Sequence, residues 1–496
     1  MWQFDPPPAY RLADTGEFLH ALEGHADFFD PADPVVVARA PGRLDLMGGI
    51  ADYSGSLVLE LPLSVAAWVA VQPTAEPVLT VRTLARAGLD GPPDVALPTP
   101  ALLPPCGPLS HAAAHDLFAA TPGGRWAAYI LGGLPLLHAE YGARVPGGLR
   151  VLVFSEVPLG KGVSSSAAVE VAALTALAAQ LGVRLAPREL ALLAQIVENL
   201  VVGAPCGIMD QMTAACGAQD QLLALLCQPA ELQDHVPIPP GVVLWGLDSG
   251  IRHAVSGADY ASVRVGAFMG YRILADLAGC ACRPLPDGRV QIDDPRWRGY
   301  LANVTPAEWA AEFAARVPET VSGAEFLARY GGSPDVVTRV EPARTYAVRV
   351  PTAHPIHEHD RVRRFRSLLE ELGGEPRGPL AGAAPAADPG VLTRLGELMY
   401  ASHASYSACG LGSDGTDRLV ALVQAAGPDT GLYGAKITGG GSGGTVAVLA
   451  TPYAFSAVQR IARAYEAETG RSTRLLGGSS PGAGAFGVQR LVWTVA

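Results

Sequence analysis

The sequence predicts an α+β protein, because strand-like and helix-like segments follow one another without regular alternation. Short apolar runs at Leu149 to Phe154 and Val242 to Leu247 are typical of buried strands. An alanine-rich segment predicts a helix that ends near Leu181, and Pro187 to Val202 predicts a second helix. Leu432 to Leu449 indicates a strand, a glycine loop and another strand.

The other segments add to this mixed pattern. An apolar strand enters Pro41-Gly42, where the sequence predicts a turn. The Pro- and Gly-rich tracts Ala85 to Gly124 and Pro376 to Pro389 predict loops. Pro306 to Tyr330 predicts a helix, and Arg344 to Val350 predicts extended chain.

The composition predicts a globular protein with a large core, since 49% of the 496 residues are hydrophobic and 17% are charged. A net charge of -11 disfavours a nucleic-acid-binding surface, which would be basic. Seven cysteines, an odd number, favour free thiols over a disulfide framework, and no second pair at metal-ligand spacing accompanies Cys280 and Cys282. Neither a secretory signal pattern nor a membrane-spanning apolar stretch is present, so we expect a cytoplasmic protein without membrane contact.

The segment APGRLDLMGGIADYSG, residues Ala40 to Gly55, places Arg43, Asp45 and Asp52 among glycines and small apolar residues. A buried arginine must be paired or bound to an anion, because an uncompensated internal charge is costly. One interpretation is a structural turn that contains an ion pair. The other is a site where Arg43 faces a phosphate and Asp52 accepts sugar hydroxyls. This segment alone leaves both open.

A loop with the sequence PLGKGVSSSAA lies between a predicted strand and a predicted helix, so its serines stand at the helix N-terminus. Free backbone N–H groups and the helix dipole favour an anion there. The serines could merely cap the helix, but three of them behind alternating glycines favour phosphate binding. The loop differs from a Walker A motif because Lys161 is followed by Gly162. The expected phosphate-binding residues are Pro158, Gly160, Gly162, Ser164, Ser165, Ser166 and Ala167.

A second glycine loop, TGGGSGG from Thr438 to Gly444, formally matches the G-x-G-x-x-G pattern of dinucleotide-binding folds. That pattern must open a helix, whereas the β-branched run that starts at Thr445 predicts a strand. The dinucleotide interpretation is therefore rejected. So many glycines favour close approach of the backbone to a ligand. The residues expected to line a site are Gly439, Gly440, Gly441, Gly443 and Gly444.

Two carboxylates lie between the glycine loops. Glu198 falls late in a predicted helix, and Asp210 follows the sheltered residues Cys206, Ile208 and Met209. Phosphoryl transfer needs phosphate positioning, Mg²⁺ ligation and a carboxylate that orients or deprotonates the acceptor hydroxyl. The chain has a candidate for each. A solvated helix residue remains the alternative for Glu198.

Three segments resemble, in this order, the signature motifs of the GHMP small-molecule kinases: Ala40 to Gly55, the serine loop from Pro158 to Ala168, and the second glycine loop. Arg43 to Gly55, Cys206 to Gln211 and Asp248 to His253, followed by Tyr260, resemble the galactokinase branch. The resemblance implies two lobes with the active site between them, which we expect at residues 1–230 and 231–496. It also implies ATP and Mg²⁺ as cofactors and a small-molecule sugar as substrate.

By this resemblance, Asp210 is expected to be the catalytic carboxylate at the anomeric hydroxyl, and Arg43 its cationic partner. The serines of the first loop would hold the triphosphate and Mg²⁺, with Ser166 and Glu198 as metal ligands. The ring hydroxyls would meet Asp52, the backbone of Gly207 and Tyr260.

The main departure from the galactokinases is Gly49-Ile50, where those enzymes carry an acid–histidine pair that holds the C6 hydroxymethyl group. Without these partners a buried sugar hydroxyl costs about 1–3 kcal/mol, which favours an aldopentose such as L-arabinose, phosphorylated at C1. Met47 to Tyr53, Thr345 to Arg349 and Tyr406 to Gly412 resemble the kinase half of plant L-arabinokinases. A galactokinase of relaxed specificity and a non-catalytic sugar sensor remain as alternatives.

Overall fold

The computed structural model describes residues 1–84, 91–252, 258–373 and 387–494. Within these ranges the strands are β1 (Trp2–Phe4), β2 (Val35–Met47), β3 (Leu57–Thr74), β4 (Val78–Thr83), β5 (Asp94–Pro98), β6 (Gly148–Ser155), β7 (Gln221–Leu226), β8 (Glu231–Leu232), β9 (Val236–Pro237), β10 (Val243–Asp248), β11 (Ala281–Pro284), β12 (Val290–Asp293), β13 (Thr320–Ser322), β14 (Thr345–Ala347), β15 (Leu432–Ile437), β16 (Thr445–Ala450), β17 (Leu475–Leu476) and β18 (Gln489–Trp493).

The α-helices of the same ranges are α1 (Asp14–Glu23), α2 (Thr99–Leu102), α3 (His111–Ala120), α4 (Gly124–Leu131), α5 (Gly133–Tyr141), α6 (Ser165–Gln180), α7 (Pro187–Ile196), α8 (Met209–Cys216), α9 (Ala258–Leu277), α10 (Pro306–Glu308), α11 (Gly323–Tyr330), α12 (Arg349–Gly373), α13 (Pro389–Ala408), α14 (Asp414–Ala426), α15 (Phe455–Thr469) and α16 (Ala483–Phe486).

The larger sheet of the described chain has the strand order β1-β18-β2-β3-β6-β4-β5, and β7 adds to it through β3. Strands β2 and β3 pair antiparallel, for example Arg39 with Trp68 and Asp45 with Glu60. Helix α6 packs over both strands and is buried along most of its length. Apolar residues of this sheet and of α4 to α8 form the largest core cluster. The sheet therefore fixes the long strand β2, which carries Arg43.

The smaller four-stranded sheet has the order β15-β16-β10-β17, and α13 and α14 pack against β15. The residues of β15 and β16 are buried, as expected for strands covered on both faces. The second glycine loop joins β15 to β16, so this sheet places that loop at the site.

The predicted α+β mixture is confirmed, and so are most of the individual elements. The apolar runs form β6 and β10, and the alanine-rich segment forms α6. Helix α7 continues through a π-helical turn, Val197–Val202, to the predicted end of that helix. The second glycine loop connects two strands, which confirms the rejection of a dinucleotide-binding fold.

The predicted turn at Pro41-Gly42 is wrong, because β2 runs through it with a register shift between Pro41 and Arg43. A bulge accommodates proline, which has no N–H group to donate to the ladder. Gly42 permits close packing here, since a Cβ on it would lie 2.7 Å from Val163 O. Arg43 N donates to the same carbonyl at 3.1 Å, so the bulge docks β2 onto the serine loop.

Three further predictions fail in part. The expected loop over Ala85 to Gly124 contains β5, α2 and α3, and Ser110 Oγ caps α3; residues 85–90 lie outside the described chain. Strand β13 interrupts the helix expected over 306–330. Only β14 is extended within 344–350, because α12 begins at Arg349. The loop predicted over 376–389 falls mostly on residues 376–386, which are not described, and α13 begins at Pro389.

None of the described helices is both long and apolar enough to cross a membrane. The cytoplasmic location and the division near residue 230 stay predictions. β18 pairs with β2 in register Leu491 to Val35, so residues late in the chain belong to the larger sheet.

Candidate active site

Arg43 lies at the centre of the candidate site, on β2 directly after the bulge. Its Nε donates to Asp210 Oδ1 at 2.9 Å, and its Nη2 lies 2.7 Å from the same oxygen. Glu60 Oε2 on β3 lies 3.2 Å from Nε, and Nη1 donates to Gly162 O at 2.6 Å. The Arg43 side chain is 2% exposed, whereas Asp210 is 21% exposed and remains accessible to a ligand.

The acidic neighbours of Arg43 stabilise its positive charge. Burial opposes this charge, but Asp210, Glu60 and Asp45 together raise the pKa of Arg43 above its ordinary value. The internal ion pair expected as one interpretation is therefore present. Arg43 also contacts the serine loop through Gly162 O, and its partner Asp210 is accessible to a ligand. These surroundings agree with the interpretation in which Arg43 faces a phosphate.

Asp52 lies near Asp210, in the 3₁₀ turn that follows β2. Burial, followed by the charge of Asp210, raises the pKa of Asp52 to about 7. Asp52 Oδ1 accepts a hydrogen bond from Tyr53 N at 2.6 Å. A Cβ on Gly207 would overlap the other carboxylate oxygen, so only glycine lets this loop lie against Asp52. Asp52 and the Gly207 backbone thus form one surface beside the Arg43–Asp210 pair.

Helix α9 brings Tyr260 and Arg264, one turn apart, to the same surface. The ring of Tyr260 meets that of Tyr53 edge-on, with centroids 5.9 Å apart. Arg264 donates to Asp335 at 2.9 and 2.8 Å and to Cys206 O at 3.1 Å. The sequence analysis missed Arg264, although its spacing from Tyr260 on one helix was a usable signal. It ties α9 to the loop that contains Gly207.

The serine loop joins β6 to the N-terminus of α6. Ser164 adopts a left-handed conformation with φ of 60° and makes no side-chain cap to the helix. Its Oγ is buried and has no hydrogen-bond partner among the described residues. A buried hydroxyl without a partner is costly, and an anionic oxygen at this helix end would satisfy it. The loop therefore fits a nucleotide phosphate better than a simple cap.

Glu198 lies in the π-helical turn after α7 and is 6% exposed, so the alternative of a solvated helix residue is wrong. Gln211 Nε2 donates to Glu198 Oε2 at 2.5 Å and to Glu170 Oε2 at 3.3 Å. Burial, then the charge of Asp210, raises the pKa of Glu198 to about 7, against a lowering effect of the hydrogen bond from Ser166. Burial, then the charge of Glu198, raises the pKa of Glu170 well above its ordinary value.

Two carboxyl groups in one buried space favour either a retained proton or a cation. Within the described residues, no group of three or more His, Cys, Asp or Glu side chains is arranged to hold a metal ion. The donors at Ser166 and Glu198 are oxygens, which suit Mg²⁺ when phosphates and water complete its shell.

The second glycine loop packs against the first loop and against Arg43. A Cβ on Gly439 would lie 2.6 Å from Gly162 O and 3.1 Å from Arg43 Nη2. Thr445 Oγ1 donates to Lys161 O at 2.8 Å, and a Cβ on Gly444 would lie 2.7 Å from that carbonyl. Positive φ angles occur at Gly439, Gly441, Gly443 and Gly444, with Gly440 between them. The two loops and Arg43 thus form a continuous surface.

Comparison with known families agrees with this arrangement. The profile of the GHMP kinases N terminal domain matches residues 128–218, and that of the GHMP kinases C terminal domain matches residues 383–467. The galactokinase galactose-binding signature matches residues 23–73. The chain belongs to the GHMP kinase family. The matched segments contain the serine loop, the second glycine loop and Arg43, respectively.

The L-arabinokinase of Arabidopsis thaliana is 43% identical to this GHMP kinase over 93% of the chain. The chain spans 47% of that protein, about half its length. The galactokinase of Chloroflexus aurantiacus is 28% identical over 89% of the chain and 91% of its own length.

Solved structures show the same fold. The galactokinase of Lactococcus lactis, in a crystal structure with galactose, has a TM-score of 0.69 at 20% identity and covers 94% of this chain and 99% of its own. The mevalonate kinase of L. major has a TM-score of 0.50 at 16% identity over 90% of this chain and 97% of its own. The α+β GHMP fold is therefore confirmed.

The sequence analysis also missed the contacts among the polar side chains behind the site of this GHMP kinase. Lys436 on β15 and Asp45 on β2 form a fully buried ion pair. The sequence signalled Asp45 as charged but gave no indication of its partner, which lies 391 residues away. Tyr406 on α13 was noted only as part of a resembling segment, yet its hydroxyl lies against Ile50 N. His253 of the galactokinase-like segment lies outside the described residues.

Proposed function

We propose that the protein is an ATP-dependent sugar 1-kinase that converts L-arabinose to β-L-arabinose 1-phosphate. The observation that carries the kinase assignment is the Arg43–Asp210 pair, which stands between Asp52 and the serine loop. An acceptor hydroxyl near Asp210 and a phosphate at the serine loop would meet beside one buried cation. Phosphoryl transfer depends mainly on such positioning and charge stabilisation.

In the proposed reaction, the anomeric hydroxyl oxygen forms a bond to the γ-phosphorus of ATP. The bond from that phosphorus to the β–γ bridging oxygen breaks, and ADP leaves. Asp210 accepts the hydroxyl proton, while Arg43 stabilises negative charge on the transferring group. Asp52, the Gly207 backbone and Tyr260 orient the ring by its other hydroxyls.

The first loop supplies the nucleotide site in this proposal. Ser164 Oγ, which is buried without a partner among the described residues, would donate to a phosphate oxygen. Ser166 and Glu198 would bind Mg²⁺, which supplies neutralisation of the triphosphate charge. The backbone of Pro158 to Ala167 and the second glycine loop would surround the phosphates.

The choice of sugar rests on Gly49-Ile50. Ile50 is 1% exposed and lies in an apolar cluster with Val263, Cys409 and Leu411. A hydroxymethyl group placed there would lose its hydrogen bonds, at a cost of about 1–3 kcal/mol. L-Arabinopyranose keeps the ring-hydroxyl arrangement of D-galactose without the sixth carbon. The L-arabinokinase relative supports the same substrate.

The match to a galactose-binding signature favours one second candidate, a galactokinase of relaxed specificity. ADP release measured with L-arabinose, D-galactose and D-glucuronate separates the two. We expect the highest kcat/KM with L-arabinose and formation of the 1-phosphate. Turnover of galactose with little turnover of L-arabinose would refute the pentose assignment, and turnover of none would favour a sugar sensor.

A further inference from the structure

Tyr406 reaches from α13 into the candidate sugar-binding segment. Its side chain is fully buried, and its Oη accepts a hydrogen bond from Ile50 N at 2.8 Å. The same hydroxyl donates to Gly439 O at 3.1 Å and lies 3.4 Å from Asp45 Oδ2. Tyr406 therefore connects the 3₁₀ turn after β2 to the second glycine loop. The Tyr406 hydroxyl thus both donates and accepts hydrogen bonds within the protein.

Position 49 has no space for a side chain while Tyr406 is present. Gly49 has a φ of 39°, and a Cβ on it would fall onto Tyr406 Oη. The same Cβ would lie 2.7 Å from Tyr406 Cζ and from Asp45 Oδ2. Contacts this short are incompatible with packing, so Tyr406 and a side chain at position 49 cannot both be present in this arrangement. Tyr406 occupies the space into which a residue at position 49 would point.

The surroundings of Tyr406 on this side are apolar. Its ring packs in an apolar cluster with Ile50, Val263, Cys409, Leu411 and Ile437. Tyr53 and Tyr260 border this cluster. Because the Tyr406 hydroxyl already has partners, this wall offers a ligand no free polar group from Tyr406. A sugar beside Asp52 would meet hydrocarbon here.

We propose that Tyr406 is a specificity-determining residue. It fills the space of a side chain at position 49 and, with Ile50, gives the sugar pocket an apolar end that accepts a pyranose lacking an exocyclic hydroxymethyl group. This inference rests on the proposed sugar kinase function. It also predicts that positions 49 and 50 cannot be made polar unless Tyr406 is shortened.

The test is a cycle of four proteins: the wild type, the pair Gly49→Glu with Ile50→His, Tyr406→Leu, and the triple variant. We expect the pair to lower both Tm and turnover, because the glutamate introduced at position 49 and Tyr406 compete for one space. The triple variant should regain Tm relative to the pair, and its ratio of kcat/KM for D-galactose over L-arabinose should exceed that of the wild type by about tenfold or more.

Tyr400→Leu is the matched control, since Tyr400 lies on the same helix but packs in the cluster of the smaller sheet. Its effect on Tm should add to that of the pair. Tyr406 has no such role if the pair has the Tm of the wild type and already prefers galactose. The same holds if the Tm changes of Tyr406→Leu and of the pair add up in the triple variant, as those of the control do.

The Tm cycle needs no substrate, so it separates the two proposals. A wild type that turns over L-arabinose, together with an additive cycle, overturns the inference and leaves the proposed function intact. A wild type that prefers galactose overturns both, even when the Tm changes of Tyr406→Leu and of the pair are non-additive.

Discussion

Lys436 Nζ lies 2.7 Å from Asp45 Oδ2, and both side chains are completely buried. Asp45 also accepts from Gly49 N at 3.1 Å and Gly439 N at 3.3 Å. One carboxylate therefore holds a lysine of the smaller sheet and the backbone of both the sugar-binding segment and the second glycine loop. The pair joins the two sheets directly behind the candidate site.

Lys436→Met should lower the free energy of unfolding by about 3–5 kcal/mol, because the buried Asp45 charge loses its partner. Urea denaturation measures this loss. Arg418→Met breaks the exposed pair with Glu468 and should change the free energy of unfolding far less, because water screens that pair. Similar losses in the two variants would contradict the role given to the buried pair.

Asp210→Asn should reduce kcat by about 10²-fold or more, because an amide cannot accept the hydroxyl proton. Sugar binding should persist, since Asp52 and Gly207 are unchanged. ADP release and calorimetric titration of the sugar provide the two readouts. Asp429→Asn, an exposed acid distant in sequence, is the control. An Asp210→Asn protein with wild-type turnover would remove Asp210 from the role of base.

Glu60 is expected to position Arg43. Burial, then the charge of Asp45, raises the pKa of Glu60 well above its ordinary value, so Glu60→Gln resembles the protonated side chain. We expect Glu60→Gln to keep kcat within about threefold and Glu60→Leu to lower it by about tenfold or more, because Arg43 then loses the polar group that lies 3.2 Å from its Nε. KM for the sugar should change little in either variant. Equal kcat values for the two variants would exclude this positioning role.

Asp52 makes the stability of the free protein depend on pH. Its pKa of about 7 in the folded protein exceeds its ordinary value of 3.8, so the folded state binds the proton more tightly than the unfolded chain does. As pH rises between these values, only the unfolded chain ionises. The free energy of unfolding therefore falls by about 1.4 kcal/mol per unit of pKa difference, and the fall is complete above the folded pKa.

The measurement is urea denaturation of the wild type and of Asp52→Asn at a series of pH values from about 4 to 8. The variant cannot titrate at this position and should lose less stability across the interval. Parallel curves for the two proteins would show that Asp52 does not have the raised pKa.

Glu198→Gln should raise the Mg²⁺ concentration needed for half-maximal ADP release by about tenfold or more, because a neutral amide is a weak Mg²⁺ ligand. Glu371→Gln, at an exposed ion pair on α12, should leave the Mg²⁺ curve unchanged. A normal curve for Glu198→Gln would place the metal elsewhere.

The sequence was sufficient for the elements that have local signals. The serine loop, the strand–loop–strand at the second glycine run and helix α6 all follow from patterns within about twenty residues. The region around Pro41-Gly42 was misread because a bulge and a turn share the same residue types. Local patterns do not distinguish them, since the deciding contact is with Val163, far along the chain.

The site was predictable where motifs carry charge and hidden where partners come from distant segments. Arg43 and Asp210 stood out as charges in apolar surroundings, and the structure pairs them. Lys436 lies in an apolar strand without a local partner, so its contact with Asp45 requires the folded chain. The packing role of Tyr406 was not predictable for a different reason, because position 49, whose side-chain space it fills, is a glycine without a side chain.

The position of β18 has a practical consequence for dissecting the protein. Strand β2, which carries Arg43, lies between β3 and β18. A fragment that ends at residue 230 would leave the β18 side of β2 unpaired, and exposed strand edges favour aggregation. Reconstitution from two co-expressed fragments would therefore require residues 489–493 to be supplied with the second fragment, although they lie more than 440 positions after Arg43 in the printed sequence.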